Sequence, residues 1–281
     1  MRTGIWISPG SAPRDVVDAI VAAERAGIDD VWVSGEGPLP EPFSVLAAAA
    51  LRTERVRLGV GVTNPYERLP IVTAWMAHTI NDLCGGRFVV GLGPGSASTL
   101  ESLAVAPTRP LHDCRDALHT IRRVGGVPVY VEARGEHLSR WASREGDGAF
   151  VLDVPMPAIG ELMGWVRSVR PVDVNLFVPV AFTEPQLEEI RARQGRALLD
   201  QSVAVRESLG VTDEALRSEP LSDTVLGACA LWGAPPSIAS RLRWMAARHK
   251  PTTIGFALPA ADLEGSVGRA AEILHDVQSA V

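Results

Sequence analysis

The sequence lacks several features that would assign the protein to a specialised class. No apolar run approaches the roughly 18 residues of a membrane span, and the N-terminus has no basic region followed by an apolar stretch and a cleavage site. The three cysteines, Cys84, Cys114 and Cys229, lie far apart and form no CxxC pair, so neither a disulfide framework nor a zinc site is indicated. We expect a cytoplasmic protein with reduced core cysteines and no bound metal.

An excess of basic residues is also missing. The 27 lysines and arginines are outnumbered by 33 aspartates and glutamates, which gives a formal net charge of -6. A nucleic-acid surface needs clustered Lys and Arg to neutralise phosphates, so we expect no nucleic-acid partner. Hydrophobic residues make up 46% of the chain and charged residues 21%, which is typical of a soluble globular protein.

Short β-branched runs alternate with amphipathic helical stretches along the 281 residues. The runs predicted as strands are Thr3–Ile7, Asp30–Ser34, Val56–Val62, Arg87–Leu92, Val127–Ala133, Gly148–Leu152, Val172–Ala181 and Thr252–Leu258. Such alternation requires parallel strands with crossover helices, and eight units close a barrel more naturally than they form an open sheet. We predict an α/β protein, a (β/α)8 barrel that forms one domain over residues 1–281. A doubly wound open sheet is the alternative.

The segment from Glu184 to Pro251 departs from this regular spacing. It is predicted to hold two or three extra helices between the last two strands, broken near Gly210 and again at residues 233–236. Prolines fit the first turns of four predicted helices, where a missing N–H costs nothing, at Pro42, Pro70, Pro157 and Pro235.

Two glycine-rich segments lie where strands end. In the first, Gly59 and Gly61 interrupt an apolar strand that runs into Thr63-Asn64-Pro65. Glycine weakens a strand and is expected where a ligand approaches the backbone, although a β-bulge or tight packing also explains it. The second, residues 89–96, enters a turn whose free N–H groups suit a phosphate, or is a plain barrel loop. It lacks the GxGxxG of a dinucleotide fold and the GK[ST] of a P-loop.

These two segments, about 30 residues apart, resemble the luciferase-like flavin and deazaflavin oxidoreductase superfamily. The likeness is greatest to its methylenetetrahydromethanopterin reductase branch, which uses coenzyme F420. Weaker similarities continue through residues 127–135, 142–148, 178–181 and 232–235, so most of the chain is covered. The resemblance implies an F420-binding barrel with a small-molecule substrate and, since homodimers are common among the relatives, a homodimer.

The resemblance also implies which residues bind the cofactor. A non-prolyl cis peptide in the third strand backs the ring in this family and maps onto Gly61-Val62. Thr63 and Asn64 would hydrogen-bond the ring edge or the ribityl chain. The phosphate would be held by a turn and a loop that comprise Gly93, Gly95, Ser96, Ala133, Arg134 and Gly135. The candidates for binding the anionic tail, with a solvated surface position as the alternative for each, are Arg68, Arg134, His137 and Arg140.

The chain departs from the family at positions that would face the ring. The second strand usually ends in Ser-Asp-His; here Ser34 remains as a cofactor-binding candidate, and Gly35-Glu36 replaces the other two. Glu36 is a candidate acid or base if burial raises its pKa, and a solvated carboxylate otherwise. Trp6 stands where the first strand commonly has a carboxylate, and is expected to line the substrate pocket. Only Gly125-Gly126 separates a helix from the fifth strand, which predicts an open pocket or one covered by a partner subunit, and argues against a pterin substrate.

The leading hypothesis is therefore an F420-dependent oxidoreductase that transfers a hydride between the deazaflavin and a small organic substrate. An FMN-dependent monooxygenase or flavin reductase is the first alternative, because the barrel and the cis-peptide strand serve either ring. A degenerate barrel that binds a cofactor without catalysis is the second, because the second-strand and first-strand polar groups have changed.

Overall fold

A computed structural model describes residues 1–35 and 40–280 of the chain. The strands in this part are β1 (Arg2–Ile7), β2 (Asp30–Val33), β3 (Arg57–Thr63), β4 (Phe88–Leu92), β5 (Val129–Glu132), β6 (Gly148–Val151), β7 (Asp173–Ala181), β8 (Leu231–Trp232) and β9 (Thr253–Leu258). Consecutive strands from β1 to β7 pair in parallel, β7 then pairs with β9, and β9 pairs with β1. The sheet is closed, so the predicted (β/α)8 barrel is confirmed and the open sheet is wrong.

Helices follow the strands as crossover connections. They are α1 (Pro13–Arg25), α2 (Pro42–Ala50), α3 (Pro70–Leu83), α4 (Ala97–Ser102), α5 (Pro110–Gly125), α6 (Glu136–Glu145), α7 (Met156–Val166), α8 (Glu184–Leu199), α9 (Val203–Glu207), α10 (Asp213–Leu216), α11 (Asp223–Cys229), α12 (Pro235–His249) and α13 (Leu263–Ser279). All four of the marked prolines lie in a first helical turn. Among the described residues, no helix is long and apolar enough to cross a membrane.

The extra helices between the last two barrel strands are confirmed, but they are more numerous than predicted. Over residues 184–249, all of them described, the chain forms α8 to α12 instead of two or three helices. The short strand β8 was also missed; it pairs with Val180 and Ala181 at the end of β7. Elements of two to five residues are too short to show a hydrophobic period, so sequence periodicity does not reveal them.

The core has two layers. One lies between the sheet and the surrounding helices, and the other fills the barrel interior with large side chains that include Trp6, Trp32, Tyr130, Phe150 and Phe177. A Cβ on Gly59 would lie 2.4 Å from the Trp32 ring. Tight packing against a side chain of the neighbouring strand β2 therefore explains glycine at this position, whereas the alternative interpretation expected packing against a helix. The three cysteines are buried in the core, as predicted, and none of them forms a disulfide.

The N-terminal end of the barrel is closed by a buried polar network. Asp30, fully buried at the start of β2, accepts hydrogen bonds from Arg57 at 2.6 and 2.9 Å and from Thr253 at 2.6 Å. Arg57 also donates to the Tyr130 hydroxyl, which donates to Asp173. These contacts join five strands at the end of the barrel away from the loops that carry ligands in such folds.

Candidate functional site

A cavity of about 230 Å³, here called the mouth cavity, lies at the C-terminal ends of the barrel strands. In (β/α)8 barrels this end carries the ligand site, because the loops after the strands converge there. The predicted site residues that line the mouth cavity are Trp6, Ser34, Gly61, Val62, Ser96 and Arg134. The fold thus brings together residues that are up to 128 positions apart in the chain.

The end of β3 forms one wall of the mouth cavity. The Gly61–Val62 peptide is cis, as the family resemblance predicted. Trp6 Nε1 donates a hydrogen bond to the Gly61 carbonyl oxygen, so the indole is tied to this strand. A Cβ on Gly61 would lie 3.0 Å from Trp6 Nε1 and 3.1 Å from the Phe150 ring. Gly61 therefore leaves room for aromatic side chains that reach the cavity from inside the barrel.

An ion pair joins the wall formed by β5 to the glycine-rich turn. Glu132, 8% exposed at the end of β5, lies 2.7 Å from Arg134 Nε, and Arg134 Nη1 donates to the Gly95 carbonyl at 3.0 Å. A Cβ on Gly93 would lie 2.5 Å from Glu132 Oε2 and 2.9 Å from the Val62 side chain. Glycine at position 93 is therefore what lets the carboxylate lie against the turn.

A second cavity, the side groove, has a volume of about 480 Å³ and contains the other part of the predicted phosphate site. Gly95, Gly135 and His137 line it, and it shares Arg134, Asp200 and Gln201 with the mouth cavity. A Cβ on Gly135 would lie 2.5 Å from the Ser202 side chain. The two cavities therefore meet at Arg134, whose side chain is 11% exposed.

Helix α8 covers part of the mouth cavity. Its residues Arg193 and Ala197, and Asp200 and Gln201 just after it, line the cavity. The Arg193 guanidinium carbon lies 5.7 Å from the centroid of the Trp6 ring. The short connection at Gly125-Gly126 predicted an open pocket or one covered by a partner subunit, and this stays a prediction; the segment after β7 contributes part of the cavity lining from the same chain.

Four predicted cofactor-binding residues, Thr63, Asn64, Gly93 and Ala133, line neither cavity. Thr63 is buried, and its hydroxyl accepts a hydrogen bond from Arg68 at 3.2 Å. Asn64 Oδ1 accepts from the backbone N–H groups of residues 66 and 67, whereas its Nδ2 has no hydrogen-bond partner among the described residues. The Ala133 N–H donates to the Phe150 carbonyl at 2.9 Å. These residues support the strands and the turn from which the cavity is built.

Two of the four tail-binding candidates lie outside both cavities, and their role in binding the tail stays a prediction. Arg68 forms ion pairs with Glu41 at 3.1 Å and with Glu67 at 3.5 Å. Arg140 forms an ion pair with Glu136 on the surface of α6. Their charges are neutralised by carboxylates nearby in the structure, which sequence spacing reveals only for the i,i+4 pair on the helix. The catalytic candidate Glu36 lies outside the described residues.

The sequence interpretation missed three ionisable cavity residues, Glu132, Asp153 and Arg193, which could take part in binding or catalysis. Glu132 is the last residue of β5, and Asp153 lies two residues after the end of β6. Their position at the C-terminal ends of barrel strands is a signal that was present in the sequence. Asp153 Oδ1 is inaccessible to solvent and has no hydrogen-bond partner within the described part of the chain. Arg193 reaches the cavity from α8, and no motif marks it.

Comparison with known proteins agrees with this geometry. Residues 1–249 match the luciferase-like monooxygenase family. A 5,10-methylenetetrahydromethanopterin reductase of Archaeoglobus fulgidus is 30% identical over 175 residues, which cover 54% of this chain and 53% of the reductase. An F420-dependent glucose-6-phosphate dehydrogenase of Nocardia farcinica is 30% identical over 227 residues, which cover 62% of this chain and 67% of the dehydrogenase. The chain spans about half the length of the first of these relatives.

A solved structure shows the same fold over almost the full chain. The coenzyme F420-dependent tetrahydromethanopterin reductase from Methanopyrus kandleri superposes with a TM-score of 0.80, covering 98% of this chain and 99% of that one. The sequence identity of that pair is 17%, so the likeness concerns the fold and leaves the activity open.

Proposed function

Because the chain belongs to the luciferase-like monooxygenase family, we propose that it is an oxidoreductase that binds coenzyme F420 and transfers a hydride between the deazaflavin and a small organic substrate. The observation that carries the proposal is the mouth cavity, which lies beside the Gly61–Val62 peptide and meets the side groove at Arg134. The F420-dependent relatives named above support F420 as the cofactor, and the position of the cavity beside this peptide supports a site for its ring.

The sizes of the two cavities suit a cofactor that has a ring and a charged tail. At about 230 Å³, the mouth cavity is below the roughly 300–1,000 Å³ typical of sites that enclose a whole drug-sized ligand. It therefore suits the tricyclic ring alone. The side groove continues from it past Arg134 and offers a path for the ribityl chain and phosphate. In this arrangement Gly95, Arg134 and Gly135 would lie along the phosphate, as the sequence predicts.

When F420 is bound, it supplies the ring carbon that takes up or releases the hydride. The described residues of the chain would bind and orient the ring and exclude water from it. Val62, Phe150 and Leu152 present apolar surface to the cavity, and the Glu132–Arg134 pair presents fixed charges. A dry, preorganised site of this kind strengthens electrostatic control of the reacting atoms.

A proton must move as well as the hydride. An alcohol that is oxidised to a carbonyl loses a hydride from carbon and a proton from oxygen, so a base must accept the proton. Among the described carboxylates of the mouth cavity, Glu132 is paired with Arg134 and Asp200 accepts a hydrogen bond from the Ala97 N–H. Asp153 Oδ1 has no hydrogen-bond partner among the described residues, so we propose it as the proton acceptor, in addition to the candidate Glu36 from the sequence.

The cofactor is tested by titration of the purified protein with F420 and with FMN, followed by absorbance. We expect saturable binding of F420. Binding of FMN without binding of F420 would favour the flavin-dependent monooxygenase or reductase. Binding of neither would replace both enzyme hypotheses with the non-catalytic barrel.

The proton acceptor is tested with the variants Asp153→Asn and Glu36→Gln, assayed for turnover with a panel of alcohols. Loss of a general base lowers kcat by about 10²- to 10⁴-fold. We expect this loss in Asp153→Asn with F420 affinity retained. If only Glu36→Gln shows it, the proton role belongs to Glu36.

The homodimer also remains a proposal. Leu69 and Trp75, at the start of α3, expose 69% and 58% of their surface, and large exposed apolar side chains favour a protein interface. Light scattering of the purified protein measures the mass, and a monomer at micromolar concentration would contradict the proposal.

A further inference from the structure

Arg193 of α8 has hydrogen-bond donors that the protein does not use. Its Nε and Nη2 atoms are inaccessible to solvent and have no hydrogen-bond partner among the described residues. Its guanidinium makes a cation–π contact with the indole of Trp6, where the guanidinium carbon lies 5.7 Å from the ring centroid. A cation over an aromatic face is stabilised, but this contact satisfies none of the N–H donors.

An arginine in this condition is unusual. Buried polar groups in folded proteins almost always have hydrogen-bond partners, and a buried charge without a counter-charge is strongly unfavourable. The neighbouring arginines follow this rule: Arg191 binds Glu188 and Asp223, and Arg206 binds Asp213. Within the described part of the chain, no carboxylate forms an ion pair with Arg193. Its unused donors could therefore bind an acceptor from outside the chain.

The position of Arg193 indicates which ligand supplies that acceptor. Arg193 lines the mouth cavity and also a third cavity of about 710 Å³, the helix groove, which lies along α8 and is lined by Arg191, Arg196 and Pro220. It does not line the side groove, which contains Gly95, Arg134 and Gly135 of the predicted phosphate residues, although Ser96 of the same set lines the mouth cavity and the helix groove. Arg193 therefore borders the mouth cavity and the helix groove, and it does not border the side groove proposed for the cofactor tail.

We propose that Arg193 binds an anionic group of the substrate, a carboxylate or a phosphate, and so selects an anionic substrate that enters from the helix groove. A guanidinium presents its N–H donors in a fork that matches both anions. The inference rests on the proposed function, because it assumes that the cofactor ring occupies the mouth cavity. Arg193 is then a specificity-determining residue, and the substrate's charge completes its hydrogen bonds.

The test compares the parent protein with Arg193→Met, Arg193→Lys and the control Arg196→Met. Arg196 lies on the same helix and lines the helix groove, but it is exposed. Inorganic phosphate and acetate serve as probes in calorimetric titrations at constant ionic strength, with and without F420. We expect one probe to bind the parent, Arg193→Met to weaken that binding at least about tenfold, and Arg196→Met to change it less than about twofold. Arg193→Lys, which keeps the charge, should retain part of the affinity.

The melting temperature of the ligand-free variants separates a ligand-binding role from a structural one. Because two N–H donors of the half-buried Arg193 have no partner among the described residues, removing them should leave the melting temperature of Arg193→Met equal to or above that of the parent. A structural arginine would lower it. Equal anion affinity in the parent and in Arg193→Met, or no binding of either probe by the parent, would overturn the inference.

A final comparison distinguishes a substrate anion from the cofactor's own phosphate. F420 and the corresponding phosphate-free deazaflavin are each titrated against the parent and Arg193→Met. If Arg193→Met weakens F420 alone, the anion belongs to the cofactor and the substrate assignment is wrong. If the parent binds phosphate through Arg193 but does not bind F420, the proposed function fails and the anion site remains.

Discussion

Gly93, in the turn after β4, lies so close to Glu132 that the substitution Gly93→Ala tests whether the Glu132–Arg134 ion pair depends on glycine at this position. In Gly93→Ala the new Cβ would lie 2.5 Å from Glu132 Oε2 and 2.9 Å from the Val62 side chain. Ordinary contacts of this kind are about 3.5 Å or longer, so the carboxylate has to move by about 1 Å. The same oxygen lies 2.7 Å from Arg134 Nε, and such a movement breaks this contact.

The magnitude follows from two terms. A hydrogen bond to a charged group contributes about 1.5–3 kcal/mol, and an extra carbon in a packed site costs about 1–3 kcal/mol. Because part of each term is recovered by relaxation, we expect the free energy of unfolding to fall by about 2–4 kcal/mol. The affinity for F420 should fall at least about tenfold, since Arg134 lies where the two cavities meet.

Urea denaturation measures the stability, and absorbance titration measures the affinity. The matched control is Gly164→Ala on α7, where a Cβ would have no neighbour within 4 Å. The control should bind F420 as the parent does. Parent-like stability and affinity in Gly93→Ala would refute the reasoning, because the Glu132–Arg134 pair would then not depend on the close approach of the turn.

Three further predictions concern stability, each measured by urea denaturation. Arg57→Met should lower the free energy of unfolding by about 3 kcal/mol, because it removes the 2.6 Å ion pair of the fully buried Asp30 and leaves it with the more distant Arg2, at 3.5 Å, and the Thr253 hydroxyl; adding Asp30→Asn should recover part of the loss. Gly268→Ala, within α13 and with no neighbour within 4 Å of the new Cβ, should raise it by about 0.5–1 kcal/mol, and a decrease would contradict the helix assignment. Burial and the nearby charges of Arg248 and Arg167 lower the pKa of His249 from its ordinary value of 6.5, so the unfolded chain binds the proton more readily. Stability should therefore be lost as the pH falls below 6.5, and less steeply in His249→Gln; equal slopes would show that this histidine does not contribute.

Much of the fold could be predicted from the sequence because the barrel strands are short, apolar and regularly separated. All eight predicted strands are present, with ends that differ by one or two residues. The elements that were missed, β8 and the short helices α9 and α10, are two to five residues long. Their formation depends on packing against α8 and β7, which a local pattern does not contain.

The candidate site was predicted less evenly. The resemblance of residues 58–70 and 85–95 to the luciferase-like family is confirmed by the family match, and it correctly placed the cis peptide at Gly61–Val62. The roles of the charged residues were harder to predict from the sequence. Arg68 was chosen as a tail-binding candidate from its sequence position, but carboxylates from two segments neutralise it.

The sequence by itself determined the barrel, its family and the strand ends that carry the site, because these depend on local periodicity and on short motifs. The tertiary structure decided which side chains meet at that end. Arg193 becomes a candidate only when α8 brings it into the same cavity as Trp6, and only the structure shows that Asp153 Oδ1 has no hydrogen-bond partner among the described residues. Burial and the lack of a partner give a polar group its functional meaning, and both are properties of the surroundings that distant parts of the chain create.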